Sequence, residues 1–227
     1  MKFFDAYFRE IDRLLAHFAG PEKPKGEPWA DAGQYQMILR RDTAFELEGV
    51  GFNLVTSMEV PDRIVLVGDD LDQIRENRPF ARITLLQIED GGDPQAAYDL
   101  IKKTDYVKYH IFPEGYMMRS TSRTYQEAVR VSKNAVKNGM TFSGVGSLMI
   151  ERYHRIPGVQ GVTVIFVTAE DADYSEIGKI AGKSHAVTET LNQAMNQVSF
   201  DCDTCRLKPV CDEIDGMKAL HFSNRNR

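Results

Sequence analysis

Residues 2–19 place apolar side chains at helical spacing. Phe3, Phe4, Tyr7, Phe8, Ile11, Leu14, Leu15 and Phe18 fall on one face, with Asp5, Arg9, Asp12 and Arg13 on the other. This pattern predicts an amphipathic helix, ended by Gly20-Pro21. Such a helix either docks on the body of the protein or offers its aromatic stripe to a second copy of the chain. Residues 21–33 hold three prolines and two glycines and read as a wrapping linker, with Trp29 as its anchor. From Thr43 the period shortens to two. Ala44–Leu47 and Phe52–Val55 alternate and predict two short strands. Arg63–Val67 is a nearly continuous apolar run that stops at Gly68, and Ala81–Ile88 is a further strand.

The second half mixes both periods. Asp93 and Pro94 are a good cap and first residue for a helix to about Val107. Residues 113–123 show no clean period and predict a loop of small, polar and basic residues. Ala128–Val131 is extended. Ser132 caps a short helix that Gly139 stops, and Ser143 starts another with Val145, Leu148, Met149 and Tyr153 inward. Val162–Val167 predicts a buried strand. Thr168 with Asp171 predicts a capped start for a helical stretch to about Val198, broken near Gly178 and Gly182. Strands interleaved with helices predict a mixed α/β fold with helices covering sheet. The expected organisation is a helix and linker over 1–36, an α/β domain over 37–199 with a sub-boundary near 112, and a tail over 200–227.

Composition narrows the class. At 227 residues with 42% hydrophobic and 27% charged residues, the chain has the make-up of a soluble globular protein. A formal charge of −5 disfavours nucleic acid and anionic membranes as partners. No apolar run is long enough to span a bilayer, and charges interrupt the N-terminus before a signal-peptide core could form, so the expected location is cytoplasmic.

The chemistry concentrates in the tail. All three cysteines, Cys202, Cys205 and Cys211, fall within ten residues. An odd cysteine count in a cytoplasmic chain points to metal or redox chemistry rather than to disulfides. The two-residue gap between Cys202 and Cys205 lets two thiolates face one metal, and Arg206 and Lys208 would favour the thiolate form. A tetrahedral site needs a fourth ligand. His221 is the first candidate, giving C-x2-C-x5-C-x9-H, with Asp201, Asp203 and Asp212 as poorer oxygen donors. The spacing suits either an iron–sulfur cluster or zinc, and three thiols on a solvated tail are the bland alternative. Elsewhere, Arg119, Arg123 and Arg130 could clamp an anionic ligand or partner, or serve as ordinary surface arginines. Asp69, Asp70 and Asp72 could hold a cation, but their spacing lacks the features of a calcium loop and favours a solvated connection. None of His17, His110, His154 and His185 has a catalytic partner nearby in sequence, and no phosphate-binding glycine loop or nucleophile elbow is present.

Taken in order, several segments resemble the middle domain of acetyl-CoA synthase, the β-type subunit of the carbon monoxide dehydrogenase/acetyl-CoA synthase complex. They are Arg41–Leu47, Val67–Ile74, Glu114–Met117, Val129–Gly139, Val162–Thr168 and the cysteine stretch, together spanning roughly 37–222. In that family the cysteine stretch opens an A-cluster, a 4Fe-4S cubane bridged to a dinickel site. The resemblance puts His221 where the family has its fourth cysteine. The Cys205–Cys211 gap is shorter than the family's, and the Cys-Gly-Cys that holds the distal nickel is absent from this sequence. The tryptophan that the family carries near its coenzyme A surface is absent too; the one tryptophan here is Trp29. The resemblance therefore implies a stand-alone iron–sulfur protein of anaerobic one-carbon metabolism. Cys202, Cys205, Cys211 and His221 would ligate one 4Fe-4S cluster, without a complete nickel site. Corrinoid, methyl-transfer or carbon monoxide dehydrogenase proteins would be its partners, and whether the chain is an enzyme stays open. The alternative is a scaffold module with structural zinc, docking on the same partners.

Overall fold

A computed structural model describes residues 9–11, 13, 16, 22–89, 93–120, 125–196, 204–214, 217, 218 and 220. In chain order the elements are β1 (Glu22–Lys23), β2 (Thr43–Thr56), β3 (Arg63–Val67), β4 (Arg78–Ile88), α1 (Pro94–Lys108), β5 (Tyr116–Ser120), β6 (Gln126–Ser132), α2 (Lys133–Lys137), α3 (Phe142–His154), β7 (Val159–Val167), α4 (Tyr174–Met195) and α5 (Lys208–Glu213). The fold is mixed α/β, as the alternating patterns predict. The described residues of the N-terminal segment are helical. Ile11 is fully buried, and Glu10 pairs with Lys183 of α4 at 3.6 Å, so this helix docks on the body. Its predicted stop at Gly20-Pro21 lies outside the described residues.

All seven strands form one sheet in the order β1-β3-β7-β4-β2-β6-β5. Strands from before and after residue 112 alternate across it. β7 lies between β3 and β4, parallel to the first and antiparallel to the second, and β6 runs antiparallel to β2. On one face Phe80 of β4 and Phe166 of β7 meet Phe142 of α3, with ring centroids 6.0 Å and 4.4 Å away. Burying each such ring contributes about 1.5–3 kcal/mol. α4 packs on β2 and β4, and α1 touches β2 and reaches both α3 and α4.

Several local expectations are corrected, each for a packing reason. The two predicted strands at 44–47 and 52–55 are one strand, β2. Its interrupting glycines are close approaches rather than a turn. A Cβ at Gly49 would lie 1.7 Å from the Phe80 carbonyl oxygen, and one at Gly51 would lie 1.9 Å from Glu127 Oε2. Within the expected loop at 113–123, Tyr116–Ser120 forms the edge strand β5, entered through Gly115 at φ +78°. The aspartate turn after β3 is not simply solvated. Asp70 is buried, and its Oδ1 accepts from the backbone N–H groups of Leu71 and Phe142, fixing the start of α3. The helix predicted to start at Ser143 starts at Phe142 and is capped by Thr141; Ser143 Oγ donates to the Pro24 carbonyl at 2.7 Å. Asp173, not Thr168 with Asp171, caps α4, because the Thr168 hydroxyl is taken by the Asp69 carbonyl at 2.7 Å. α4 then runs unbroken through Gly178 and Gly182.

Other expectations hold. Asp93 and Ser132 cap α1 and α2, and Gly139 adopts φ +81° after α2. Trp29 anchors the linker, donating Nε1–H to the Glu114 carbonyl at 2.8 Å while its own N–H reaches the Gly144 carbonyl. No helix among the described residues is long and apolar enough to cross a membrane.

Candidate functional site

The geometry starts from a strand edge. β6 pairs with β2 only as far as Val50 opposite Gln126, and Tyr125 closes that ladder by accepting the Gly51 N–H at 2.9 Å. Beyond this point β2 has no paired strand on that side among the described residues, and buried backbone groups need other partners. α4 supplies one, and the Asn53 side chain ties the strand to α1. Ser184 Oγ of α4 donates to the Asn53 carbonyl at 3.1 Å, and Asn53 Nδ2 donates to the Thr104 carbonyl of α1 at 3.3 Å. The Tyr98 hydroxyl of α1 donates to Asn192 Oδ1 of α4. Held apart by these ties, α1 and α4 leave a cleft of about 370 Å³ over Phe52 and Asn53.

The cleft is aromatic and charged. Tyr98, Lys102, Asp105 and Tyr109 recur at helical spacing along α1, and Ala181, Ser184, His185 and Thr188 do so along α4. Lys108 is 7% exposed and sits 3.5 Å from Asp105, with its ammonium 4.7 Å from the Tyr109 ring centroid. Burial works against its charge, but Asp105, helped by Tyr109, outweighs it and holds the Lys108 pKa above its ordinary value. Lys102 lies over the Tyr98 ring at 5.4 Å. Behind the cleft, Arg82 and Glu127 form a fully buried bidentate pair at 2.9 and 2.6 Å, and Arg82 Nη1 donates to Thr84 Oγ1.

The cysteine segment docks at the rim. Arg206 pairs with Glu189, which also lines the cleft. Cys205 precedes α5 and Cys211 lies within it, both half-buried, with the Cys205 carbonyl accepting from Lys208 N–H and Cys211 N–H donating to the Leu207 carbonyl. Cys202 and His221, and with them Asp201 and Asp203, lie outside the described residues. Among the described residues no three metal-donor side chains converge. The two described thiols are soft donors on one short segment, a donor type that suits either an iron–sulfur cluster or zinc as half of a four-ligand set. Asp212 is engaged by Lys218, which pulls its pKa below the ordinary carboxylate value.

The arginines do not gather into one site. Arg130 is committed to Glu46 at 2.7 Å and to the Ile38 carbonyl at 3.0 Å, so its charge is already met. Arg119 is exposed on β5, opposite Ala128, and Arg123 lies outside the described residues. Neither Arg119 nor Arg130 lines the cleft. Asp69 pairs with Arg78 at 2.8 Å, and Asp70 faces Lys23 at 3.6 Å, which makes the aspartate turn a structural joint. His154 reaches both oxygens of Asp62, and His110 stacks on Tyr106. The cleft residues were missed from sequence. The usable signal was the run of tyrosine, lysine and aspartate along one stripe of α1. No protein-family model and no curated protein matches this chain.

Proposed function

We propose that this chain is a metal protein whose Cys202, Cys205, Cys211 and His221 hold one 4Fe-4S cluster, and that it serves anaerobic one-carbon metabolism. It would act as an electron carrier or a cluster-dependent partner of corrinoid, methyl-transfer or carbon monoxide dehydrogenase proteins. The observation that supports this reading is the Arg206–Glu189 tie, which sets the segment between Cys205 and Cys211 against the rim of the cleft. The link to one-carbon metabolism rests on the resemblance to acetyl-CoA synthase alone. A bound cluster supplies one-electron chemistry, and a histidine ligand makes its charge less negative and raises its potential, as in Rieske centres.

A structural-zinc scaffold has its own observation in favour. Leu207, Ile214 and Met217 of the tail are buried, so a metal there would also pin the C-terminal segment to the body. Anaerobic purification of the full chain separates the two. The first reading expects iron with acid-labile sulfide and a visible absorption band, both lost in Cys205→Ser and Cys211→Ser. A colourless protein with stoichiometric zinc replaces it with the scaffold, and a protein with neither metal overturns both.

A further inference from the structure

The cleft between α1 and α4 is built without the cysteines. Its charges do not cancel. Asp105 is met by Lys108, and Glu189 by Arg206. Lys102, at the mouth, has no carboxylate partner among the described residues and lies over the Tyr98 ring. The lining itself balances Lys102 and Lys108 against Asp105 and Glu189, but Arg206 meets Glu189 from outside it, which leaves Lys102 as the cation without a partner. Its remaining walls include Phe52, Tyr109 and Tyr125, whose rings offer flat apolar surface.

We propose that this cleft binds a small planar organic anion, an aromatic ring bearing one carboxylate or phosphate group, with the anionic group at Lys102 and the ring against Tyr109, Tyr125 and Phe52. Its volume of about 370 Å³ lies at the small end of ligand sites, which suits a single substituted ring rather than a dinucleotide. The proposal stands whether or not the tail holds a metal.

Titration of the full chain, followed by amide NMR, tests it with 4-hydroxybenzoate, phenyl phosphate and the neutral 4-hydroxybenzyl alcohol. At least one anion should bind saturably with a Kd at or below about 1 mM, and the neutral analogue at least about fivefold more weakly. Whichever anion binds more tightly identifies the charged group. Lys102 is exposed, so Lys102→Gln should fold normally and weaken anion binding about threefold or more. Thr188→Trp should fill the wall and abolish binding. No saturable binding of either anion overturns the proposal. Equal binding of the neutral analogue, or unchanged anion affinity in Lys102→Gln, does so too.

Discussion

Arg82 and Glu127 are the most costly pair of side chains in the fold to expose singly. Both are buried, and their two parallel hydrogen bonds satisfy charges that the surrounding sheet and helices cannot solvate. Burial by itself would lower the Arg82 pKa, but the adjacent Glu127 carboxylate reverses this and raises it. Replacing one partner strands the other. Arg82→Met should therefore lower unfolding stability by about 3–5 kcal/mol, whereas Arg82→Met with Glu127→Leu should recover most of that loss. Urea midpoints of the two single variants and the double variant measure the coupling, and a double variant no better than the worse single one would refute it. Arg82 was visible in sequence only as a member of the predicted strand Ala81–Ile88. Its partner was not. Glu127 lies 45 positions later and reaches Arg82 across β2, because Gly51 leaves room for the carboxylate where any side chain would collide with it.

The glycines mark where an element-level reading from sequence succeeds and fails. Gly139 follows α2 at positive φ, as a helix stop should. Gly49 and Gly51 in β2, and Gly178 and Gly182 in α4, look like breaks in sequence but lie inside continuous elements. Sequence spacing carries turns and caps, which are local. It does not carry close approaches between distant elements. The two α4 glycines can be told apart. A Cβ at Gly178 meets nothing within 4 Å, so this glycine only costs helix entropy. A Cβ at Gly182 would sit 3.1 Å from the Tyr125 hydroxyl. Gly178→Ala should raise stability by about 0.5–1 kcal/mol, read as a higher denaturation midpoint at unchanged slope. Gly182→Ala should give no net gain, because Tyr125, itself at φ +46°, must shift to admit the methyl group. Equal gains at both positions would show that the Tyr125 contact is inconsequential.

Sheet order decides how the whole chain holds together, and strand periodicity could not show it. Most strands were legible or nearly so, although β1 lay in the predicted linker and β5 in the predicted loop, yet neighbour relations depend on crossovers that leave no local pattern. The cleft was hidden for the same reason. Among the described residues β6 begins at Gln126, opposite Val50, while β2 continues to Thr56, and α1 and α4 cover the edge left behind. The tail was the reverse case: its cysteines stood out in the sequence, while its place against Glu189 did not. The order β3-β7-β4 has a further consequence. Without residues 159–167, β3 retains only the two-residue β1, and β4 retains only β2. A fragment covering 37–112 would then hold a parallel β2–β4 pair, a detached β3 and a helix with no partner from α4. Its apolar faces would stay open, and two short unsupported sheet pieces do not sustain a fold. Such a fragment should show no dispersed amide spectrum and no cooperative melt. The full chain should unfold in one transition, with far-ultraviolet circular dichroism and aromatic fluorescence tracing the same curve in urea. A folded 37–112 fragment, or two separated transitions in the full chain, would mean that the halves are independent despite their shared sheet. Coincident curves would place the cleft, which draws on α1, β2, β6 and α4 together, inside a single cooperative unit.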